Sequence, residues 1–323
     1  MIIFTNDLHI DRDIWVDITI NYLSKLEEYA TQYKIKTIIF GGDVFEKASK
    51  IRNEVFVPFF LKLMELKEKG FELYFILGNH DIFNDYNDSI VETFAPFGTV
   101  IKDSATLTID NFQYDLLSYT KDETKIPNKS KVLLTHLSIA DFQFDNGYEA
   151  DQKNGMSTDL FSNYDLVVSG HFHRHQEKKN IVYVGSPFQH NFGEEGQQKG
   201  FLVLDKDSYQ FVEYNEAPTF LTIKAEDFLK YDYKNKFVQV EITNKVENFI
   251  KLKHILYDKG AIEVKSYFKK QNEDILLDAK KNLNIDENGS VISSLREYLR
   301  SLGLEKIDNE KLISYFDELI KEL

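Results

Sequence analysis

Short unbroken apolar runs alternate along this chain with longer stretches whose apolar residues recur every three to four positions. Residues 2–5, 37–40 and 73–77 are runs of the first kind, the pattern of strands buried on both faces. Between them, residues 17–32 carry Ile18, Tyr22, Leu26 and Tyr29 on one helical face, and residues 53–69 read as a second helix closed by Gly70. The order βαβαβ predicts a parallel sheet with helices packed on its faces. Beyond Asp88 the rhythm loosens. Residues 99–109 and 112–119 read as strands paired across Asp110-Asn111, and 131–135 and 166–169 as two further apolar strands. Residues 181–184, 200–204 and 209–214 predict a more antiparallel second sheet.

After Ala217-Pro218 lysine becomes more frequent, and the pattern is strand (237–242), helix (246–257, ended by Gly260), strand (261–268). From residue 272 on it is helical only. Residues 288–302 place Val291, Ile292, Leu295, Leu299 and Leu302 on one face, and a second helix does the same with Leu312, Ile313, Phe316, Leu319, Ile320 and Leu323. The chain thus divides into 1–217, 218–271 and 272–323. A length of 323 residues agrees with about two domains, and 42% hydrophobic residues suffice for a sizeable core. With no cysteine, disulfides, iron–sulfur clusters and thiolate zinc sites are excluded. No apolar run is long enough to cross a bilayer, and the N-terminus starts as a strand without a basic region, so a soluble cytoplasmic protein is expected. The net charge of −14 argues against binding nucleic acid by bulk electrostatics.

The chemistry collects where apolar strands end. The first strand runs into Asp7-Leu8-His9, the second into Gly41-Gly42-Asp43, and the third into Gly78-Asn79-His80-Asp81. Two later strands run into His136 and into Gly170-His171-Phe172-His173. Open α/β sheets place ligands at such strand ends. In a D-x-H or H-x-H pair the two side chains share one side of an extended segment. Two carboxylates, one amide and four imidazoles are therefore candidate metal ligands: Asp7, His9, Asp43, Asn79, His136, His171 and His173. They suit two ions about 3.5–4 Å apart bridged by one carboxylate. With oxygen and nitrogen donors and no sulfur, manganese or iron suits the set well, and zinc less specifically. His80 can give a proton or hydrogen bond to developing charge, with Asp81 to orient it.

The ordered set D-x-H, G-G-D, G-N-H-D, H and G-H-x-H resembles the calcineurin-like metallophosphoesterases over roughly residues 1–187. That resemblance implies a four-layer α/β/β/α sandwich with a small α+β cap and C-terminal helices. It also implies a dinuclear site, most often with Mn(2+): Asp7, His9 and His173 on one ion, Asn79, His136 and His171 on the other, and Asp43 between them. His80 and Asp81 would be catalytic, His80 contacting the phosphate and the leaving group. The Asp-Arg-Gly of protein phosphatases is absent after Gly42-Asp43. Instead Asp43-Val44-Phe45-Glu46 and Gly185-Ser186-Pro187-Phe188-Gln189 are similar to the SbcD nucleases, relatives of the meiotic recombination eleven nuclease, and the short length resembles phage-encoded members. Archaeal and eukaryotic members carry a histidine where this chain has Glu46.

The resemblance implies a metal-dependent DNA exonuclease or endonuclease working with an SbcC-type ATPase, held by the C-terminal helices. It also implies a homodimer through the 53–69 helix and the segment with Ile90, Val91, Phe94 and Phe97. The other classes open to the chain are a non-catalytic scaffold and a small-molecule or cyclic-nucleotide phosphodiesterase. Trp15 either stacks on an unpaired base or packs locally. Arg12, Arg52, Arg174 and Lys199 are candidate phosphate contacts. His175 and His190 stay outside the two filled coordination shells.

Overall fold

A computed structural model describes residues 1–267 apart from 12, 48, 85–87, 145–146, 152 and 243–245. Arg12 and the two C-terminal helices expected over 272–323 lie outside the described residues. The first half follows its apolar rhythm: β1 (Ile2–Thr5), α1 (Asp13–Gln32), β2 (Thr37–Gly41), α2 (Asn53–Glu68) and β3 (Glu72–Ile76). The helix α1 begins four residues before the expected start. Trp15, in that added turn, is buried and stacks on Phe188, Phe220 and Phe237, so tertiary packing extends the helix beyond its own periodicity.

The stretch expected as one strand over 99–109 is two. Gly98–Ile101 (β4) pairs with β3, and Ser104–Ile109 (β5) opens a second sheet with Phe112–Leu117 (β6). The hairpin turns at Asp110 and Asn111, both at positive φ, as a two-residue turn requires. Then come β7 (Val132–His136), β8 (Leu166–Gly170), β9 (Gln176–Lys178), β10 (Ile181–Tyr183), β11 (Gly200–Asp205) and β12 (Ser208–Glu213). The first sheet runs β12-β11-β1-β2-β3-β4 and the second β5-β6-β7-β8-β10-β9. The second sheet corrects the sequence expectation. From β6 through β7 and β8 to β10 it is parallel, and β11 and β12 join the first sheet, β11 antiparallel to β1 and β12 antiparallel to β11.

Period-2 alternation sorts the layers. Ile3, Ile38, Phe40, Leu73 and Phe75 face α1 and α2, while Ile2, Phe4, Ile39 and Ile76 meet Leu116, Val132, Leu134 and Val168 of the second sheet. The outer face of the second sheet, with Leu133, Val167 and Tyr183, is covered by Leu137, Ile139, Phe142 and Phe161. These come from loops and a short 3-10 turn (Thr158–Phe161), so this fourth layer carries no α-helix among the described residues. A third sheet, β13-β14-β15, follows: β13 (Thr219–Lys224), β14 (Lys236–Glu241), α3 (Val246–Asp258) and β15 (Ala261–Tyr267). β13 is an addition to the expected strand–helix–strand, and it pairs in parallel with β14.

The homodimer expectation needs one correction. Val91, Phe94 and Phe97 are buried within the protomer, where Phe94 and Phe97 pack on Phe56 and Phe60 of α2. These three fill core, and Ile90 of the same segment is part-buried against it. On α2 itself Val57, Leu61 and Met64 are exposed, one stripe at helical spacing.

Candidate metal centre

The C-terminal ends of β1, β2 and β3 in one sheet meet those of β7 and β8 in the other. His136, at the end of β7, crosses the seam: its Nδ1 donates to Gly41 O at 2.8 Å. Glycine is needed here for room. A Cβ on Gly42, at φ +96°, would fall 2.4 Å from that imidazole, and one on Gly78 would fall 2.1 Å from Asp43 Oδ1.

Asp7, His9, Asp43 and His171 all sit at positive φ, between 44° and 96°. Non-glycine residues hold such conformations at a cost of order 1–3 kcal/mol each, and keep them only where the surroundings fix them. Asp7 N–H donates to Gly42 O (2.9 Å), His9 N–H to Asp43 O (3.1 Å) and His171 N–H to Asp7 Oδ2 (3.0 Å). Asp81 completes this frame. Its carboxylate accepts from the N–H groups of Asp43 (2.7 Å), Val44 (3.0 Å) and Gly78 (2.9 Å). Burial and the Asp43 charge push it up to about 7, against those donors. The expectation that Asp81 orients His80 is therefore corrected. Its lone pairs are taken by backbone, and His80 Nδ1 donates instead to Glu46 O at 2.7 Å.

The seven expected ligand residues come together. Asp7, His9 and His173 form one group, and Asp43, His136 and His171 another, each with its donor atoms within 4.8 Å of one another. The Nε2 atoms of His9 and His173 face each other at 3.1 Å, and Asn79 Oδ1 lies 2.8 Å from His171 Nδ1. Asp43 Oδ2 lies 3.2 Å from His136 Nε2 and 3.6 Å from His9 Nε2, so it stands between the groups. His80 joins Asp43 and His9 in a third such group.

Besides His136, two further imidazoles are engaged from behind. His9 Nδ1 meets Glu46 Oε2 at 2.7 Å and His173 Nδ1 meets Glu194 Oε1 at 3.0 Å. Partners of this kind fix the tautomer and leave Nε2 for a metal. Asp7 Oδ1 and His136 Nε2 are buried and make no hydrogen bond. Leaving buried polar atoms so costs about 1–3 kcal/mol apiece, which a bound cation would offset. Burial would raise the Asp7 and Asp43 carboxyls, but His136 and the other imidazoles outweigh it and hold both well below the usual range. Burial lowers His136, yet the two carboxylates raise it to about 9. His171, buried and beside His136, is pushed down to about 4. Paired anions with an O/N donor set fit divalent ions such as manganese, iron or zinc.

Three supporting residues have roles that the sequence reading does not expect: it does not single out Glu194 or Asn6, and it notes His190 only as lying outside the coordination shells. Glu194 is fully buried and is bound by His173, Lys199 Nζ (2.6 Å), Ser186 Oγ and the His190 N–H. Burial would raise its carboxyl, and these cationic and donor partners hold it well below its ordinary range. His190, pushed down to about 3 by burial, touches Asp7 O through Nε2 at 2.9 Å. Asn6 donates to Asp7 Oδ2 and to Gly185 O. Glu194 ends a short 3-10 turn (Phe192–Glu194), where the fold buries its carboxylate. Of the candidate phosphate contacts, Lys199 is buried on Glu194 and His173 O, and Arg174 donates to Gln143. Trp15 packs locally, and His175 stacks on Phe211 away from the cluster.

A two-sheet α/β sandwich with such a cluster at its strand ends defines a class, the metallophosphoesterases. The sequence profile of the calcineurin-like phosphoesterases matches residues 1–175, and the chain belongs to that family. Exonuclease subunit 1 of Enterobacteria phage T4 is 24% identical, covering 96% of this chain and 94% of its own length. The DNA double-strand break repair protein Mre11 of Nanoarchaeum equitans is 23% identical over 90% of this chain and 87% of its own. The SbcD component of the SbcCD nuclease of Staphylococcus epidermidis is 24% identical over 70% and 64%. The protein is thus a metal-dependent phosphoesterase with nuclease relatives. No helix among the described residues is long and apolar enough to cross a membrane.

Proposed function

We propose that the chain is the nuclease subunit of an SbcCD-type complex, cleaving phosphodiesters at DNA ends in the cytoplasm. The observation that carries this is the convergence of the six other O/N donor residues around Asp43, in a chain similar to nucleases over nearly its whole length. In this reading Asp7, His9 and His173 hold one ion, Asn79, His136 and His171 the other, and Asp43 is shared. Manganese is the expected metal. Divalent ions there would supply Lewis-acid charge to the phosphoryl oxygens and acidify a water. The chain's own residues do the rest. Glu46, Glu194 and Gly41 O keep Nδ1 of His9, His173 and His136 occupied, so their Nε2 atoms point inward. Asp81 fixes the loop that carries Asn79 and His80 against Asp43. His80 stands on the open side of the cluster, about a third exposed, with Nδ1–H held by Glu46 O; as an imidazolium it gives its Nε2 proton to the leaving oxygen and is left as the neutral Nδ1–H ring.

The same proposal includes a homodimer through Val57, Leu61 and Met64, a capping role for residues 218–271, and an ATPase partner bound by residues 272–323. The test is cleavage of labelled single- and double-stranded DNA with Mn(2+), with and without chelator. Metal-dependent shortening of the DNA is expected. Turnover of a small phosphodiester with no cleavage of any DNA would replace this reading with a small-molecule phosphodiesterase.

A further inference from the structure

The cleft that holds the metal-ligating groups has a volume of about 370 Å³, and a second hollow of about 390 Å³ adjoins it. His171 lines both, so the two share a wall. Tyr119 stands beside it, its ring centroid 5.9 Å from that of His171 and tilted by 34°. The backbone N–H of Tyr119 donates to Leu77 O, which fixes the residue at the end of the strand that delivers Asn79 and His80. Phe144 closes another side, held edge-on against Phe172 at 4.8 Å. Lys121 and Lys153 complete the rim, both exposed and neither in an ion pair among the described residues. Among the described residues Glu123 is the one carboxylate on this lining, beside the two ammonium groups, in a chain of net charge −14.

A phosphodiester has two ends, and both must leave the metal cluster. On one side the way out passes Trp15, His190 and Asn191, and on the other it passes His171 into this hollow. Two half-buried aromatic rings with two solvent-facing cations are the elements by which proteins hold single-stranded nucleic acid: π-faces for bases, ammonium groups for phosphates. The volume lies in the range of small-ligand sites. A base seated there has left its stack and its pairing partner, which restricts the site to single strands and frayed ends.

We propose that this hollow seats the nucleotide next to the scissile phosphate of a single-stranded substrate, Tyr119 and Phe144 contacting the base and Lys121 and Lys153 the flanking phosphates. It rests on the phosphodiesterase reading above and adds the strand state and position of the substrate. It also supplies a local cationic contact that the overall charge of the chain denies.

The test uses the full chain with Mn(2+). Fluorescein-labelled phosphorothioate oligo(dT), which resists hydrolysis, reports binding by anisotropy across a salt series, and bis(4-nitrophenyl) phosphate reports chemistry without a flanking nucleotide. The double variant Lys121→Ala/Lys153→Ala should bind the oligonucleotide more weakly. Its plot of log affinity against log salt should be shallower by about 1.4, at about 0.7 per single-strand phosphate contact. Its turnover of the small ester should stay at the wild-type level. Oligonucleotides with abasic residues should bind the wild type less well than oligo(dT), and Tyr119→Ala should reduce that difference. Wild-type affinity and salt slope in the double variant would overturn the subsite alone. A matching fall on the small ester would overturn it too, by showing damage to the centre itself. Failure of the wild type to bind oligonucleotide while it turns over the small ester would overturn the nucleic-acid reading and the subsite with it.

Discussion

Glu46 shows how one residue serves two imidazoles. Its carboxylate holds His9 and its backbone carbonyl holds His80, so the segment after Gly42-Asp43 positions a metal-ligand candidate and the proposed proton donor together. His80→Ala should remove the donor and leave the donor set of both ions intact. A loss of activity of about 10²–10⁴-fold is expected, with near-normal metal content by elemental analysis. Loss of one or both ions in that variant would instead make His80 a ligand. Glu194→Gln should act differently. The amide keeps the shape but weakens the grip on His173 and leaves Lys199 without its buried charge partner. A metal affinity about 10–100-fold weaker is expected, read by titration with a metal indicator. Unchanged affinity would limit Glu194 to folding. The direct ligand candidates were readable because each follows an apolar run, and that pattern survives without a structure. Glu194, His190 and Asn6 were not, because their importance comes from contacts across 179, 183 or 21 residues of chain, which spacing does not encode.

At the scale of elements, α1 and α2 are joined by a buried charge. Lys62, almost fully buried on α2, donates to Glu27 of α1 at 2.8 Å and to Glu65 at 3.1 Å, and Lys69 also reaches Glu27. Burial would raise the Glu27 carboxyl, but the two lysines outweigh it and lower it below its ordinary 4.5. Its contribution is therefore present above that ordinary value and is lost as pH falls through the lower folded value. Glu27→Gln should destabilise the fold by about 1–3 kcal/mol near neutrality, with its melting curve approaching that of the wild type in acid. A constant gap across that range would show that the charge is not the cause. The strands and helices of the first half were legible because a parallel sheet buried on both faces writes continuous apolar runs. The split at Lys102-Asp103 was not. Strands β4 and β5 have the same alternation, and only their pairing with different sheets separates them.

For the whole molecule, the order of motifs implied the sandwich, while the assignment of β11 and β12 to the first sheet required the tertiary pairing itself. The proposed dimer rests on the stripe Val57, Leu61 and Met64. Leu61→Glu should give a folded monomer by light scattering, since the position is half-exposed and a charge there costs the protomer little. An unchanged dimer would place the interface elsewhere, and an unchanged monomeric mass in the wild type would remove the proposal.

At the centre of the molecule stands one claim: two ions, shared through Asp43, carry the reaction. Stepwise addition of Mn(2+) to metal-free protein, with bound metal and phosphodiester hydrolysis followed at each step, tests it most directly. Two ions per chain are expected, with hydrolysis rising as the second one binds and with Asp43→Asn impairing both. Full activity in chelator, or a single ion per chain at full activity, would contradict it.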